Sequence, residues 1–119
     1  MAKEVIVRPE KIDVLLSADT KITGDIESKG TFNLDGAIKG NVTVDGDIFV
    51  GKTGSIEGNI SGHEVQIYGR VIGNVIAKGT LRMFSGSSLQ GDVQVGSFVA
   101  EQGAIFKGKC TMSDFDDKG

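Results

Sequence analysis

Apolar and polar residues alternate along most of this chain with a period of two. One run places Phe32, Leu34, Ile38, Val42 and Val44 on one parity, with Gly36 and Gly40 in step. The parity then resets, giving Ile48, Val50, Ile56 and Ile60, next Val65, Ile67, Val71 and Val75, and last Leu81, Met83, Leu89, Val93 and Val95. A period of two means short strands with one buried face. No stretch between residues 20 and 112 keeps a helical period of 3.6 for three turns.

A five-residue unit punctuates the alternation: apolar, any residue, Gly, a mostly polar residue, apolar. It reads Ile22-Thr23-Gly24-Asp25-Ile26, Ile38-Lys39-Gly40-Asn41-Val42 and Ile56-Glu57-Gly58-Asn59-Ile60. It returns as Val71-Ile72-Gly73-Asn74-Val75, Leu89-Gln90-Gly91-Asp92-Val93 and Phe106-Lys107-Gly108-Lys109-Cys110, with successive glycines 16, 18, 15, 18 and 17 residues apart. A repeat of this length is the mark of a solenoid or array.

Hairpins are the competing arrangement. Two-residue hairpin turns favour Asn-Gly or Asp-Gly, whereas the recurring order here is mainly Gly-Asp or Gly-Asn. Asp35-Gly36 and Asp45-Gly46 leave a meander or β-sandwich open on turn chemistry alone. The near-equal period favours one coil per repeat, because equivalent residues then stack into inward ladders. The expected fold is an all-β, right-handed parallel β-helix of about five to six rungs over residues 20–112, with a hydrophobic core. Residues 1–19 and 113–119 are expected to form short flexible tails. The repeated glycine would sit where the wall bends, since a side chain inside the corner would collide with its neighbours.

Composition agrees. The 119 residues include 18 glycines, about twice the average usage of about 7%, but a single Pro, no Trp and an ordinary 39% of hydrophobic residues. Disorder lacks the apolar content, and collagen needs Pro and a three-residue period. The length makes one domain.

Charge and cysteine content narrow the function. The formal net charge is -3 and the Lys and Arg residues are scattered singly, so no basic stripe neutralises phosphates and no nucleic-acid partner is expected. The lone Cys110 allows neither an internal disulfide nor a multi-cysteine zinc site; aligned with Val and Ile of earlier repeats, it reads as a buried small apolar residue. No secretory signal opens the chain and no apolar run approaches the ~18 residues that span a bilayer. The expectation is a soluble, cytoplasmic protein.

Residues 46–53, Gly46-Asp47-Ile48-Phe49-Val50-Gly51-Lys52-Thr53, match the phosphate-binding pattern GxxxxGK[ST]. That loop must open a helix whose N-terminus holds the phosphates. Here Ile48 and Val50 are strand positions and Gly54-Ser55-Ile56-Glu57-Gly58 follows, so the match reads as a strand and a Gly-rich corner. Turn lengths near 18 also invite comparison with the left-handed hexapeptide helices of acyltransferases and β-helical carbonic anhydrases, which need a catalytic His or several His ligands. This chain has only His63, read as an exposed turn residue without a partner nucleophile. Asp25, Asn41, Asn59, Asn74 and Asp92 could stack as a ladder that Asp and Lys109 would break; turn chemistry and solvation explain them more simply. No catalytic residue, cofactor or metal site is expected.

The same residues resemble the bactofilins, a bacterial cytoskeletal family built on one β-helical domain. The resemblance covers about residues 20–112 and is carried by Ile22-Thr23-Gly24-Asp25-Ile26 and by Leu34-Asp35-Gly36-Ala37-Ile38-Lys39-Gly40-Asn41-Val42. Its most specific part is the closing Gly103-Ala104-Ile105-Phe106-Lys107-Gly108-Lys109-Cys110-Thr111-Met112. The resemblance implies end-to-end polymerisation without nucleotide, a peripheral place on the cytoplasmic face of the inner membrane, and scaffolding of cell-wall, shape, polar or motility machinery. Residues 1–9, where a membrane-targeting segment would lie, have no aromatics and mixed charges.

Physics reaches polymerisation by another route. A parallel coil ends in an open rung with unpaired backbone groups and exposed core, which monomeric solenoids cover with a capping helix or polar repeat. Neither terminus reads as a helix. The last rung offers Phe98, Ala100, Phe106, Cys110 and Met112 as a self-association surface. The outward Phe49, Tyr68 and Phe84 form a second apolar face, for lateral contacts or for a partner if the protein is instead a monomeric or small-oligomer binding module.

Overall fold

The computed structural model describes residues 5–6 and 14–112, and among these every regular element is a β-strand. In chain order they are β1 Val5–Ile6, β2 Val14–Leu16, β3 Lys21–Thr23, β4 Ile26–Leu34, β5 Ala37–Lys39, β6 Val42–Val50, β7 Ser55–Glu57 and β8 Ile60–Gly62. There follow β9 Glu64–Ile67, β10 Arg70–Ile72, β11 Val75–Met83, β12 Ser88–Gln90, β13 Val93–Ala100, β14 Ile105–Lys107 and β15 Cys110–Met112. Every pairing is parallel and joins equivalent positions of successive turns. The product is a parallel β-solenoid of about five turns, and among the described residues there are none of the hairpins that a meander would require.

One wall is a six-stranded sheet of β3, β5, β7, β10, β12 and β14. Each strand sends its central residue inward, and these centres pair in register: Ile22, Ile38, Ile56, Val71, Leu89 and Phe106. They are the first residues of the six repeats, so the sequence period and the inward ladder are one feature. A nine-stranded sheet forms the other two walls. Its inward positions include Ile26, Val42, Ile60, Val75 and Val93 on one wall and Phe32, Ile48, Val65 and Leu81 on the next, all buried in one core.

These two walls are one sheet because the chain bends between them without leaving the ladder. The pairing of β4 with β6 runs unbroken through Lys29 with Asp45 and Gly30 with Gly46. Strands β4, β6 and β11 therefore reach nine residues, longer than the alternation alone implies. In the turn between β6 and β11, His63 alone makes the bend, and the strand splits into β8 and β9. Wall segments keep their length from turn to turn while the corners lengthen or shorten. That is the origin of the 15- to 18-residue spread in spacing.

The repeat glycines occupy the third corner. Gly24, Gly40, Gly58, Gly73, Gly91 and Gly108 have φ between 132° and 152°. From Gly40 onward, a Cβ at each would run into the carbonyl oxygen of the repeat glycine one turn below. Both requirements, a positive φ and a bare α-carbon under a neighbouring backbone, select glycine.

Parallel pairing also extends ahead of residue 20, because β2 pairs with β4 through Val14 and Phe32, Leu15 and Asn33, and Leu16 and Leu34. Strand β1 pairs with Ile26 and Glu27. Residues 1–4 and 7–13 of the expected N-terminal tail and the whole segment 113–119 lie outside the described residues.

Candidate polymer interface

The inward ladders stay buried for four or five steps and then emerge. On the six-stranded wall Leu89 is fully covered, while Phe106, stacked on it, is half-buried. On the neighbouring wall Leu81 and Met83 are sealed, yet their register partners Phe98 and Ala100 are half-buried and exposed. On the third wall Val93 and Val95 are buried beneath Cys110 and Met112, and Met112 is 58% exposed. The five residues expected at the C-terminal end thus lie together on one open rung. The rings of Phe98 and Phe106 meet there, 5.5 Å between centroids and tilted by 57°.

Cys110 corrects the sequence reading. It keeps the inward register of Val93, but no described residue stacks beyond it, and it is exposed rather than a buried core residue. Register alone does not bury a side chain; a following turn is also needed.

Two residues of this end escaped the parity argument. Val99 and Ile105 occupy outward positions and are 43% and 53% exposed. Ile105 follows Lys21, Ala37, Ser55, Arg70 and Ser88 in its column, and Val99 follows Asn33, Phe49, Gln66 and Arg82. An apolar residue closing a largely polar column was the available signal. The last rung thus carries apolar residues on its outward face as well, between polar ones such as Lys107 and Thr111.

Along the glycine corner the Asp/Asn residues do form a ladder, of a kind different from stacked side-chain amides. The Asn41 amide donates to the Asp25 carboxylate at 3.0 Å, and the Asn59 amide to the Asn41 Oδ1 at 3.0 Å. Asn74, Asp92 and Lys109 continue it, each donating its backbone N–H to the side-chain oxygen one turn below, at 3.1, 3.1 and 3.2 Å. Because the donors are backbone amides, Asp serves as well as Asn and does not break the series. Only Lys109, which has no side-chain acceptor, ends it.

Phe49, Tyr68 and Phe84 come together on one wall, each half-buried. Tyr68 and Phe84 stack with centroids 4.1 Å apart and planes within 5°. Phe49 and Tyr68 share a shallow groove of about 340 Å³ with Asn33, Asp35, Gly51 and Gln66.

The phosphate-loop pattern has no helix behind it. Gly46 to Val50 are the second half of β6, residues 51–54 turn, and β7 follows. Thr53, which would face magnesium in such a loop, donates its hydroxyl to the Asp35 carbonyl at 2.8 Å. His63 sits exposed at its corner, its amide on the Gly46 carbonyl at 2.8 Å. Among the described residues no three His, Cys, Asp or Glu side chains gather to hold a metal, and no helix is long and apolar enough to cross a membrane.

Stacked inward ladders and a glycine corner define a parallel β-solenoid whose last described rung leaves Phe98, Ala100, Phe106, Cys110 and Met112 half-buried or exposed. The family model described as "Bactofilin: Polymer-forming cytoskeletal" matches residues 14–111, and the chain belongs to the bactofilin family. Among characterised relatives, it is 26% identical over 100 residues to bactofilin BacO of Myxococcus xanthus, covering 84% of this chain and 79% of BacO. Bactofilin BacP of the same organism is 21% identical over 115 residues, or 97% of this chain and 48% of BacP. Among solved structures, the bactofilin of Thermus thermophilus in double helical filaments superposes with a TM-score of 0.81 at 30% identity, covering 84% of this chain and 99% of that one. The cytoskeletal bactofilin BacA gives 0.76 at 36% identity, with coverages of 85% and 96%.

Proposed function

We propose that this bactofilin assembles end to end into nucleotide-independent filaments through its C-terminal rung, and that the filament scaffolds cell-envelope, shape or motility machinery. The observation that carries the proposal is the exposure of Phe98, Ala100, Phe106, Cys110 and Met112 at positions whose equivalents one turn earlier are buried. Their inward register continues a core on which no described residue stacks. A second solenoid end would restore the missing cover, and the open strand edges of β13, β14 and β15 would gain backbone partners. The family's polymer-forming character and the filament structure of a relative at 30% identity support this reading.

A scaffold works by repetition. Each subunit displays the same walls, so a client with weak affinity for one subunit is held strongly by a row of them. A place on the cytoplasmic face of the inner membrane is the accompanying proposal; residues 1–9, which would bear on it, include only Val5 and Ile6 among the described residues. The test is electron microscopy and sedimentation of the purified full chain with no nucleotide or divalent cation present. Filaments whose mass grows with protein concentration are expected. A chain that remains monomeric at high concentration overturns the proposal in favour of a binding module.

A further inference from the structure

Resting on that filament reading, we propose that residues 113–118 dock in cis along the open edge of β13 as a capping strand, with Phe115 over Phe98. The cap competes with the next subunit for the C-terminal rung.

The last turn ends in a step. Strand β15 covers only Val93 to Val95 of β13. The other half of β13, Ser97 to Ala100, pairs below with Thr80 to Met83, and no described strand lies on its far side. A parallel edge is therefore open just beyond the point where β15 stops, and the half-buried ring of Phe98 stands on it. An edge of this kind takes a further strand by backbone pairing.

The residues that follow β15 in sequence match this step column by column. In β13 a single residue, Gly96, makes the bend where β11 uses Lys78 and Gly79. With Ser113 making the same one-residue bend after Met112, Asp114 falls on Ser97, Phe115 on Phe98 and Asp116 on Val99. Asp117 then falls on Ala100, and Lys118 on Glu101. The one aromatic residue of the segment thus joins the inward column of Phe32, Ile48, Val65, Leu81 and Phe98. Its one cation lands over the exposed carboxylate of Glu101. A slip of one residue in either direction would instead set Asp114 or Asp116 over Phe98. Ser113 alone separates Met112 from Asp114, so the segment enters the step of its own subunit.

The far side of such a strand is unlike a solenoid turn. Asp117 takes the inward column in which Leu34, Val50, Ile67, Met83 and Ala100 precede it. A subunit stacked on that rung would bury the carboxylate without a counter-charge, which is strongly unfavourable. Apolar toward the stack and charged away from it is the pattern of a terminal capping repeat. The rung can hold its own strand or the next subunit, but not both.

Val99→Cys with Asp116→Cys, made in a Cys110→Ser background, places two thiols on neighbouring strands of the proposed pair, within disulfide reach. Arg82→Cys with Asp116→Cys places them one turn further apart. Dilute protein is oxidised with diamide, and free thiols and sedimentation are read. The first chain is expected to lose both thiols while staying monomeric, and to form filaments only after reduction; the second keeps its thiols. Deleting residues 113–119, or Phe115→Ser, is expected to lower the concentration at which filaments appear by about tenfold or more. Wild-type filaments, with the Val99 and Asp116 pair closing no faster than the Arg82 and Asp116 pair, overturn the cap and leave the filament reading standing. An unchanged or raised threshold in the truncated chain also overturns it. If the pair closes but neither the full nor the truncated chain assembles, the filament reading falls and the competition falls with it.

Discussion

The backbone amide of Asn59 donates to the side-chain oxygen of Asn41, 3.0 Å away and one full turn below it. The Asn59 side-chain oxygen in turn receives the Asn74 amide at 3.1 Å. These amides sit beside glycines whose conformation takes them out of the flanking β-ladders, so the side chain one turn below supplies the acceptor that the sheet does not.

That chemistry separates two substitutions of one residue. Asn59→Asp keeps the acceptor and is expected to change stability by less than ~0.5 kcal/mol, the scale of an ordinary surface substitution. Asn59→Leu removes it and is expected to cost about 0.5–1.5 kcal/mol, the net worth of one hydrogen bond. Urea denaturation of both variants checks the pair. Equal losses would mean that the carboxamide N–H₂ group, absent from both variants, matters instead.

The glycine corner makes a sharper prediction. Gly58 has φ of 152°, and a Cβ there meets the Gly40 carbonyl. Gly86 also has a positive φ, 90°, but a Cβ on it meets nothing within 4 Å. Gly86→Ala is expected to cost about 1–2 kcal/mol from backbone conformation alone. Gly58→Ala should cost clearly more, because two turns must also move apart. Thermal melts of the two variants give the comparison, and equal shifts would show that the stacking contact relaxes freely.

Inward assignment is tested by Ile56→Asp. Ile56 is fully buried in the ladder between Ile38 and Val71. A carboxylate there has no partner, at a cost of several kcal/mol against a total stability of about 5–15 kcal/mol. Loss of the cooperative unfolding transition, followed by circular dichroism, is expected.

Assembly is expected to be indifferent to ATP, GTP and chelators, and equally so in a Lys52→Ala variant. The motif that suggested nucleotide lies on β6 and a corner, and Thr53 is committed to Asp35. Filaments that require nucleotide, with Lys52→Ala losing that response, would return the motif to consideration.

What could be read in advance followed from what repeats. The ladder from Ile22 to Phe106 was legible because one apolar residue and one glycine recur at almost constant spacing, and a period of two allows only one inward parity. The corners were less legible. Whether His63 or Asp45-Gly46 makes a bend changes the turn by a single residue, too small a signal beside the spread in spacing. The Asp25-to-Lys109 ladder reads in sequence as turn chemistry and solvation, because sequence shows side chains and not where a positive φ aims an amide. Cys110 was misread since periodicity knows parity but not where the stack stops. The same limit hid Val99 and Ile105: on the last turn, inward and outward lose their distinction.

The C-terminal rung offers the decisive test of the filament reading. Phe106 is half-buried, with its ring packed at 5.5 Å against that of Phe98 and no described residue above it. Covering either ring at a junction is worth roughly 1.5–3 kcal/mol, and the contact repeats on the partner. Phe106→Arg or Phe98→Arg leaves the lower turns untouched, since both rings stack on residues already buried beneath them. At a junction, though, the guanidinium would be desolvated without a counter-charge, costing several kcal/mol. The expected product is a folded protein that melts cooperatively and sediments as a monomer or a single dimer; a dimer results if like ends pair and only one kind of end is disabled. Phe84→Arg, on the wall, should still elongate. Filaments of normal length from Phe106→Arg would move the longitudinal contact away from this rung and leave the aromatic wall as the principal site of assembly.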